Sequence, residues 1–104
     1  MVKKLKIKNT DQICLIDNED YQKLKNKDLR LTKEWYVVLA NKEPHRVHKL
    51  IMGDEAKYKD VHHIDGNKLN NTKNNLICLT ISQHAKINRN NPSREVIEKR
   101  FSII

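Results

Sequence analysis

The sequence predicts an α+β fold, a small single domain in which N-terminal β-hairpins precede a C-terminal strand–loop–strand–helix unit. Three observations carry this expectation. Short apolar runs recur with period-two alternation or β-branched and aromatic composition: KLKIK at 4–8, ICLI at 13–16 and WYVVLA at 35–40, the pattern of strands. Helix-capping residues stand directly before helical stretches at 17–20, at Thr80 and at Ser93. A length of 104 residues fits one domain with a modest core, and no internal repeat or second domain is visible.

Taken in order, 4–8 reads as a half-buried strand, with Lys4, Lys6 and Lys8 on a solvated face and Leu5 and Ile7 opposite. The turn cluster Asn9-Thr10-Asp11-Gln12 joins it to a strand at 13–16. Asp17-Asn18-Glu19-Asp20 opens a short helix over about 18–25, its acids suiting the positive end of the helix dipole. A second hairpin is expected from 34–40 pairing with 45–48, with Trp35, Tyr36 and Leu50 in the core. A helical turn at 48–52 follows, ended by Gly53-Asp54, then a charged loop at 54–60. Strands are expected at 61–65 and 76–79, with a loop at 66–75 between them. Thr80 and Gln83 have the spacing of a capping box, so a helix runs from Ile81 to about 89, where Asn90-Asn91-Pro92 stops it. Ser93 caps a last helix to about 100.

The net charge of +8 favours a polyanionic partner through counterion release from phosphates. Cys14 and Cys78 form no C-x-x-C pair, which excludes a zinc ribbon or a disulfide framework as the main staple. No secretory segment and no 18-residue apolar run occurs. The expectation is a reduced, cytoplasmic protein (the host cell's cytoplasm if phage-encoded) without membrane contact.

The chemistry concentrates in VHHIDGNKLNNTKNNLICLTISQHAKINR, residues 61–89. His62 and His63 are neighbours on one strand and so point to opposite faces; they cannot be equivalent ligands. His84 sits in the first turn of the following helix. If that helix packs on the hairpin, a metal can be gripped between strand and helix. From Gly66 to Arg94 there are five basic residues, eight asparagines and no acid. Asparagine satisfies irregular backbone and tolerates left-handed φ. Asp65-Gly66 reads as a tight turn. Asp65 shares the face of His63 but lies ~7 Å along the strand, which disfavours it as a metal ligand. Asn88, four after His84, shares its helical face.

This segment resembles the HNH endonucleases, whose ββα-metal core cuts nucleic acid. The pair is His62-His63, the middle is Asn75-Leu76 and the end is His84. More loosely, IDNEDYQKL and HRVHKLIMG resemble the leading part of phage and intron-borne homing endonucleases. The resemblance implies residues 61–90 as the ββα-metal core, 1–60 as a DNA-contacting hairpin and short-helix region, and 91–104 as a C-terminal helix and tail. It implies His62 and His84 as metal ligands, His63 as the general base, and Asn75 as the residue that pins the loop and so orients the base, one loop carbonyl accepting the far N–H of His63. It implies a divalent metal ion, Mg²⁺ or Mn²⁺. The family often has Asp at the first position, and His62 makes the site softer, which admits Zn²⁺ or Ni²⁺.

The implied partner is DNA, contacted by Arg46, His48, Lys68, Lys73, Lys86, Asn88 and Arg89, with His48 also read as a structural residue that supports the loop, and the chain acts as a monomer or a homodimer. His45 reads as an ordinary surface or core histidine. The competing readings are a non-catalytic nucleic-acid-binding protein that keeps the ββα unit as a metal-stapled fold, and a toxin-like nuclease acting on RNA or any DNA.

Overall fold

The computed structural model describes residues 1–40, 46–87 and 92–101. β1 (Val2–Lys6) and β2 (Ile13–Asp17) form an antiparallel hairpin with Leu5 opposite Cys14. Leu5 and Ile7 are buried and Lys4, Lys6 and Lys8 exposed, as the alternation requires. α1 (Asn18–Leu24) follows at once, with Glu19 and Asp20 in its first turn.

The second hairpin differs from the expected pairing of 34–40 with 45–48. β4 (Val37–Leu39) pairs instead with β3 (Leu29–Leu31), Leu29 opposite Leu39. Only an isolated bridge joins Val38 to Arg46, and His45 lies outside the described residues. LRL is too short to stand out as a strand in sequence. Its stability comes from a neighbour: Asn9 donates to Leu31 O at 3.0 Å and accepts from Leu31 N at 2.8 Å, and Lys8 N donates to Leu29 O at 2.8 Å. The turn of the first hairpin thus supplies the partner that sequence alone does not reveal. The expected core positions Trp35 and Leu50 are exposed instead, at 52% and 44%. Trp35 occupies the hairpin tip at φ +70°, a rare conformation for a bulky side chain, and its indole lies outside the core. Tyr36 is half-buried.

α2 (Val47–Met52) leads into a 3-10 turn at Gly53–Ala56, so the expected loop at 54–60 is partly helical. β5 (Asp60–His63) and β6 (Leu76–Leu79) pair antiparallel, with His62 opposite Ile77 and His63 opposite Leu76. A 3-10 turn at Lys73–Asn75 precedes β6. α3 (Ile81–Ala85) carries the expected capping box: Gln83 N donates to Thr80 Oγ1 at 3.1 Å, and Thr80 N donates to Gln83 Oε1 at 3.0 Å. It is shorter than the helix expected to 89. In α4 (Arg94–Phe101), Val96 N donates to Ser93 Oγ at 3.4 Å. No helix among the described residues is long and apolar enough to cross a membrane.

Opposed residues of an antiparallel pair share a face, and this organises the C-terminal half. Val61, His63, Leu76 and Cys78 face one way; Val61 and Leu76 pack with Ala56, Ile51 and Met52. Asp60, His62, Ile77 and Leu79 face the other; Ile77 and Leu79 pack with Ile97, Ile87 and Phe101. The hairpin is therefore a two-sided wall, with α2 on one side and α3 and α4 on the other. The main N-terminal core gathers Leu5, Ile7, Cys14, Ile16, Leu24, Leu29, Val37 and Val47.

Candidate active site

Strand alternation gives the two adjacent histidines different surroundings. His62, on the α3 side, meets His84: their ring centroids are 5.1 Å apart at 61°. His62 Nε2 is buried and has no hydrogen-bond partner among the described residues, a state that costs free energy unless a ligand uses the nitrogen. The other member is oriented by a carboxylate, since His84 Nδ1 lies 3.0 Å from Asp60 Oδ2. With Nδ1 set against Asp60, Nε2 is the nitrogen of His84 left to meet a ligand. Burial, then His84 and His63, hold the His62 ring below its ordinary titration range, so it is neutral and able to ligate at neutral pH.

His63 is 6% exposed on the opposite face. Its ring meets His48 edge-on at 5.0 Å, and His48 stacks on Tyr36 at 5.4 Å. Nε2 of His63 lies 2.8 Å from Asn71 Oδ1. Burial pushes the His63 ring below its usual range, against the Asn71 bond and Asp65, which favour the charged form.

Asn75 holds the loop. Its Oδ1 accepts from Asp65 N at 2.9 Å, and its Nδ2 donates to Asp65 Oδ1 at 2.8 Å and to Asn70 O at 2.9 Å. Its own carbonyl accepts from Ile64 N at 2.8 Å. Burial alone would raise the Asp65 carboxyl; bonds from Asn70, Asn67 and Asn75, with His63 nearby, hold it below its usual range. Asp65 is thus an anchor within the loop. Gly66, at φ +77°, donates its N–H to His63 O at 3.0 Å, the tight turn expected of Asp65-Gly66, in a conformation that favours glycine. The hydrogen-bond partner of His63 differs from the expectation: among the described residues it is the Asn71 side chain, and not a backbone carbonyl of the loop.

The two sides meet at a cleft of about 150 Å³ lined by Tyr36, Val61, His62, His63, Gly66, Lys68 and His84. At its rim the Arg46 guanidinium lies 4.0 Å and the Lys68 ammonium 4.1 Å from the Tyr36 ring centroid. Lys68 also donates to Glu34 O at 2.8 Å. These contacts hold two cations beside the histidines.

The remaining expected DNA contacts separate. His48 is 3% exposed; it is enclosed beside Tyr36 and His63, which fits its structural reading and takes it away from the DNA surface. Lys73 is already ion-paired with Glu19, and its backbone N–H donates to Asp17 Oδ2 at 2.9 Å. Lys86 is exposed at the end of α3. Asn88 and Arg89 lie outside the described residues.

Sequence reasoning missed Asp60, Asn71 and Tyr36. Asp60 was within reach, since it lies two residues before His62 and shares its face. Nothing in the spacing separates Asn71 from the other loop asparagines.

A divalent ion fits the donor set on one side of the cleft: two imidazoles, one with a buried nitrogen that has no partner among the described residues and the other set against a carboxylate. Among the described residues, no group of three or more His, Cys, Asp or Glu side chains forms a ready-made metal cage. Two protein ligands here would leave the other positions of a bound ion to water and substrate oxygen, the open form that catalytic sites use.

No curated protein and no solved structure matches the chain. Residues 45–86 match the family described as HNH endonuclease. The match takes in α2, His62, His63, Asn71, Asn75 and His84, so this segment of the chain is similar to the HNH endonucleases.

Proposed function

We propose that the protein is a metal-dependent DNA endonuclease that hydrolyses phosphodiester bonds, with His63 as the general base and a divalent ion held by His62 and His84. The observation that carries this reading is the convergence at one cleft of His62, its buried Nε2 without a partner among the described residues and its ring set against His84, and a neutral His63 held in place by a hydrogen bond. A neutral imidazole can accept a proton from an attacking water at neutral pH. Such help is worth about 10²–10⁴-fold in rate. Arg46 and Lys68, set on Tyr36 at the rim, meet the negative phosphodiester backbone, and Lys86 with the net charge of +8 extends that attraction. Asn75 fixes the Asp65–Asn70 loop and so the position of the strand end that carries His63. The ion, when bound, supplies Lewis-acid stabilisation of charge on the phosphate and the leaving oxygen. The softness of two imidazoles suits Mn²⁺, Zn²⁺ or Ni²⁺ as well as Mg²⁺. One site nicks one strand, and a double-strand break requires two copies.

The test is conversion of supercoiled plasmid to nicked circle in Mg²⁺, Mn²⁺, Ni²⁺ or Zn²⁺, with a chelator control. Nicking that the chelator abolishes is the expected result. Salt-sensitive DNA binding without nicking in any metal would show a non-catalytic binding module, and cutting confined to RNA would show a ribonuclease.

A further inference from the structure

The chain before residue 45 lies outside the family match, yet it reaches the candidate base through one buried side chain. Asn71 is 1% exposed. Its Oδ1 sits 2.8 Å from His63 Nε2, and its Nδ2 donates to Cys14 Sγ at 3.3 Å and to Lys68 O at 3.4 Å. Its backbone N–H donates to Leu15 O at 2.8 Å, and Leu15 N donates to Leu69 O at 2.8 Å. β2 thus grips the loop by the backbone on either side of Asn70, and Cys14 of the same strand grips the Asn71 side chain.

This network dictates which end of the amide faces His63. The Cys14 thiol is directed to Leu15 O at 3.9 Å, so its sulfur offers a lone pair to Asn71, and Lys68 O can only accept. Two acceptors on one side require the NH₂ there. The opposite rotamer would set the amide oxygen against the Lys68 carbonyl and leave buried groups unpaired. The oxygen therefore faces His63. An amide oxygen only accepts, so Nε2 of a neutral His63 must carry the hydrogen.

We infer that Asn71 is a positioning residue that fixes His63 as its Nε2–H tautomer, with Nδ1 as the basic nitrogen, and that β2 of the N-terminal hairpin holds Asn71 in that role. The base is then aimed by two asparagines with separate tasks: Asn75 shapes the loop and Asn71 sets the ring. The N-terminal hairpin becomes a structural part of the reaction centre. The inference rests on the nuclease reading for its catalytic meaning, but its physical content is separately measurable.

The test is the ¹⁵N spectrum of the imidazole rings in the full chain, recorded with Mg²⁺ and assigned with a His63→Gln variant. Wild type should show His63 protonated at Nε2 and bare at Nδ1. Asn71→Leu, similar in size but without an acceptor, should lose that single tautomer. Its kcat for plasmid nicking should fall by about 10²-fold, the lower end of what a general base supplies, with KM unchanged. Cys14→Ala removes the sulfur that orients the amide. It should shift the tautomer population in the same direction by a smaller amount. A wild-type His63 carrying its hydrogen on Nδ1 overturns the inference whether or not the variants fold. So does an Asn71→Leu protein with the wild-type tautomer and kcat. Absence of nicking with the Nε2–H tautomer intact would instead count against the nuclease reading alone.

Discussion

His48 should make the protein acid-labile, and replacing it with phenylalanine should remove much of that lability. The ring is 3% exposed, stacked on Tyr36 and set edge-on to His63. Burial, then the neighbouring His63, Arg46, Lys49 and Lys68, lower its pKa from 6.5 to about 3. The unfolded ring keeps its ordinary value, so between pH 6.5 and about 3 the unfolded chain binds the extra proton. Stability therefore falls with pH through that window and levels off below it. At pH 5 the unfolded ring is one and a half pH units below its pKa. At about 1.4 kcal/mol per unit, the His48 contribution lost there is about 2 kcal/mol. His48→Phe keeps an aromatic ring against Tyr36 and His63 but cannot titrate. Urea denaturation of both proteins at pH 7.5 and pH 5 measures the difference. Wild type should lose about 2 kcal/mol more than the variant, near 1 M in midpoint for a domain of this size. His62 and His63 are shifted in the same direction and remain in both proteins, so the difference isolates position 48. Parallel loss of stability in the two proteins would refute the assignment of a neutral, desolvated His48.

Asp60→Ala should leave the fold intact and weaken divalent-ion affinity by about 10–100-fold, as expected when a carboxylate that orients a ligating histidine is removed; calorimetric titration with Mn²⁺ or Zn²⁺ checks this. Asn75→Ala deletes three side-chain hydrogen bonds within the Asp65–Asn70 loop. At about 0.5–1.5 kcal/mol each it should cost roughly 2–4 kcal/mol in urea denaturation. Trp35 is the only tryptophan; it is half exposed and shares a surface groove with Gly66 and Lys68, so DNA should change its fluorescence. In that titration Arg46→Ala and Lys68→Ala should each lower the slope of log affinity against log salt by about 1, whereas Lys49→Ala serves as a control.

Much of the site was legible because strand alternation and helix capping are local rules. They separated His62 from His63, placed Thr80 and Gln83 at the start of α3, and set Leu5 and Ile7 against Lys4, Lys6 and Lys8. What escaped depends on contacts between distant segments. β3 is held by Asn9, some twenty residues away, and LRL alone gives little sign of it. Trp35 looked like core because it is large and apolar, but a left-handed tip residue follows turn geometry rather than hydrophobicity. His48 carried a polar side chain in a basic stretch, and only the packing of α2 against Tyr36 and β5 shows that it is enclosed. The same limit applies to Asn71: its partners are Cys14, Lys68 and His63, and no periodicity joins those positions.

The most direct test of the account is a paired measurement on His63→Ala, following plasmid nicking and Mn²⁺ affinity in the same preparation. Removing the base while leaving His62, His84 and Asp60 in place should reduce the nicking rate by about 10²-fold or more and leave metal affinity within about twofold of wild type. A His63→Ala protein that nicks at the wild-type rate, or that loses its metal together with its activity, would contradict the division of roles between the two adjacent histidines.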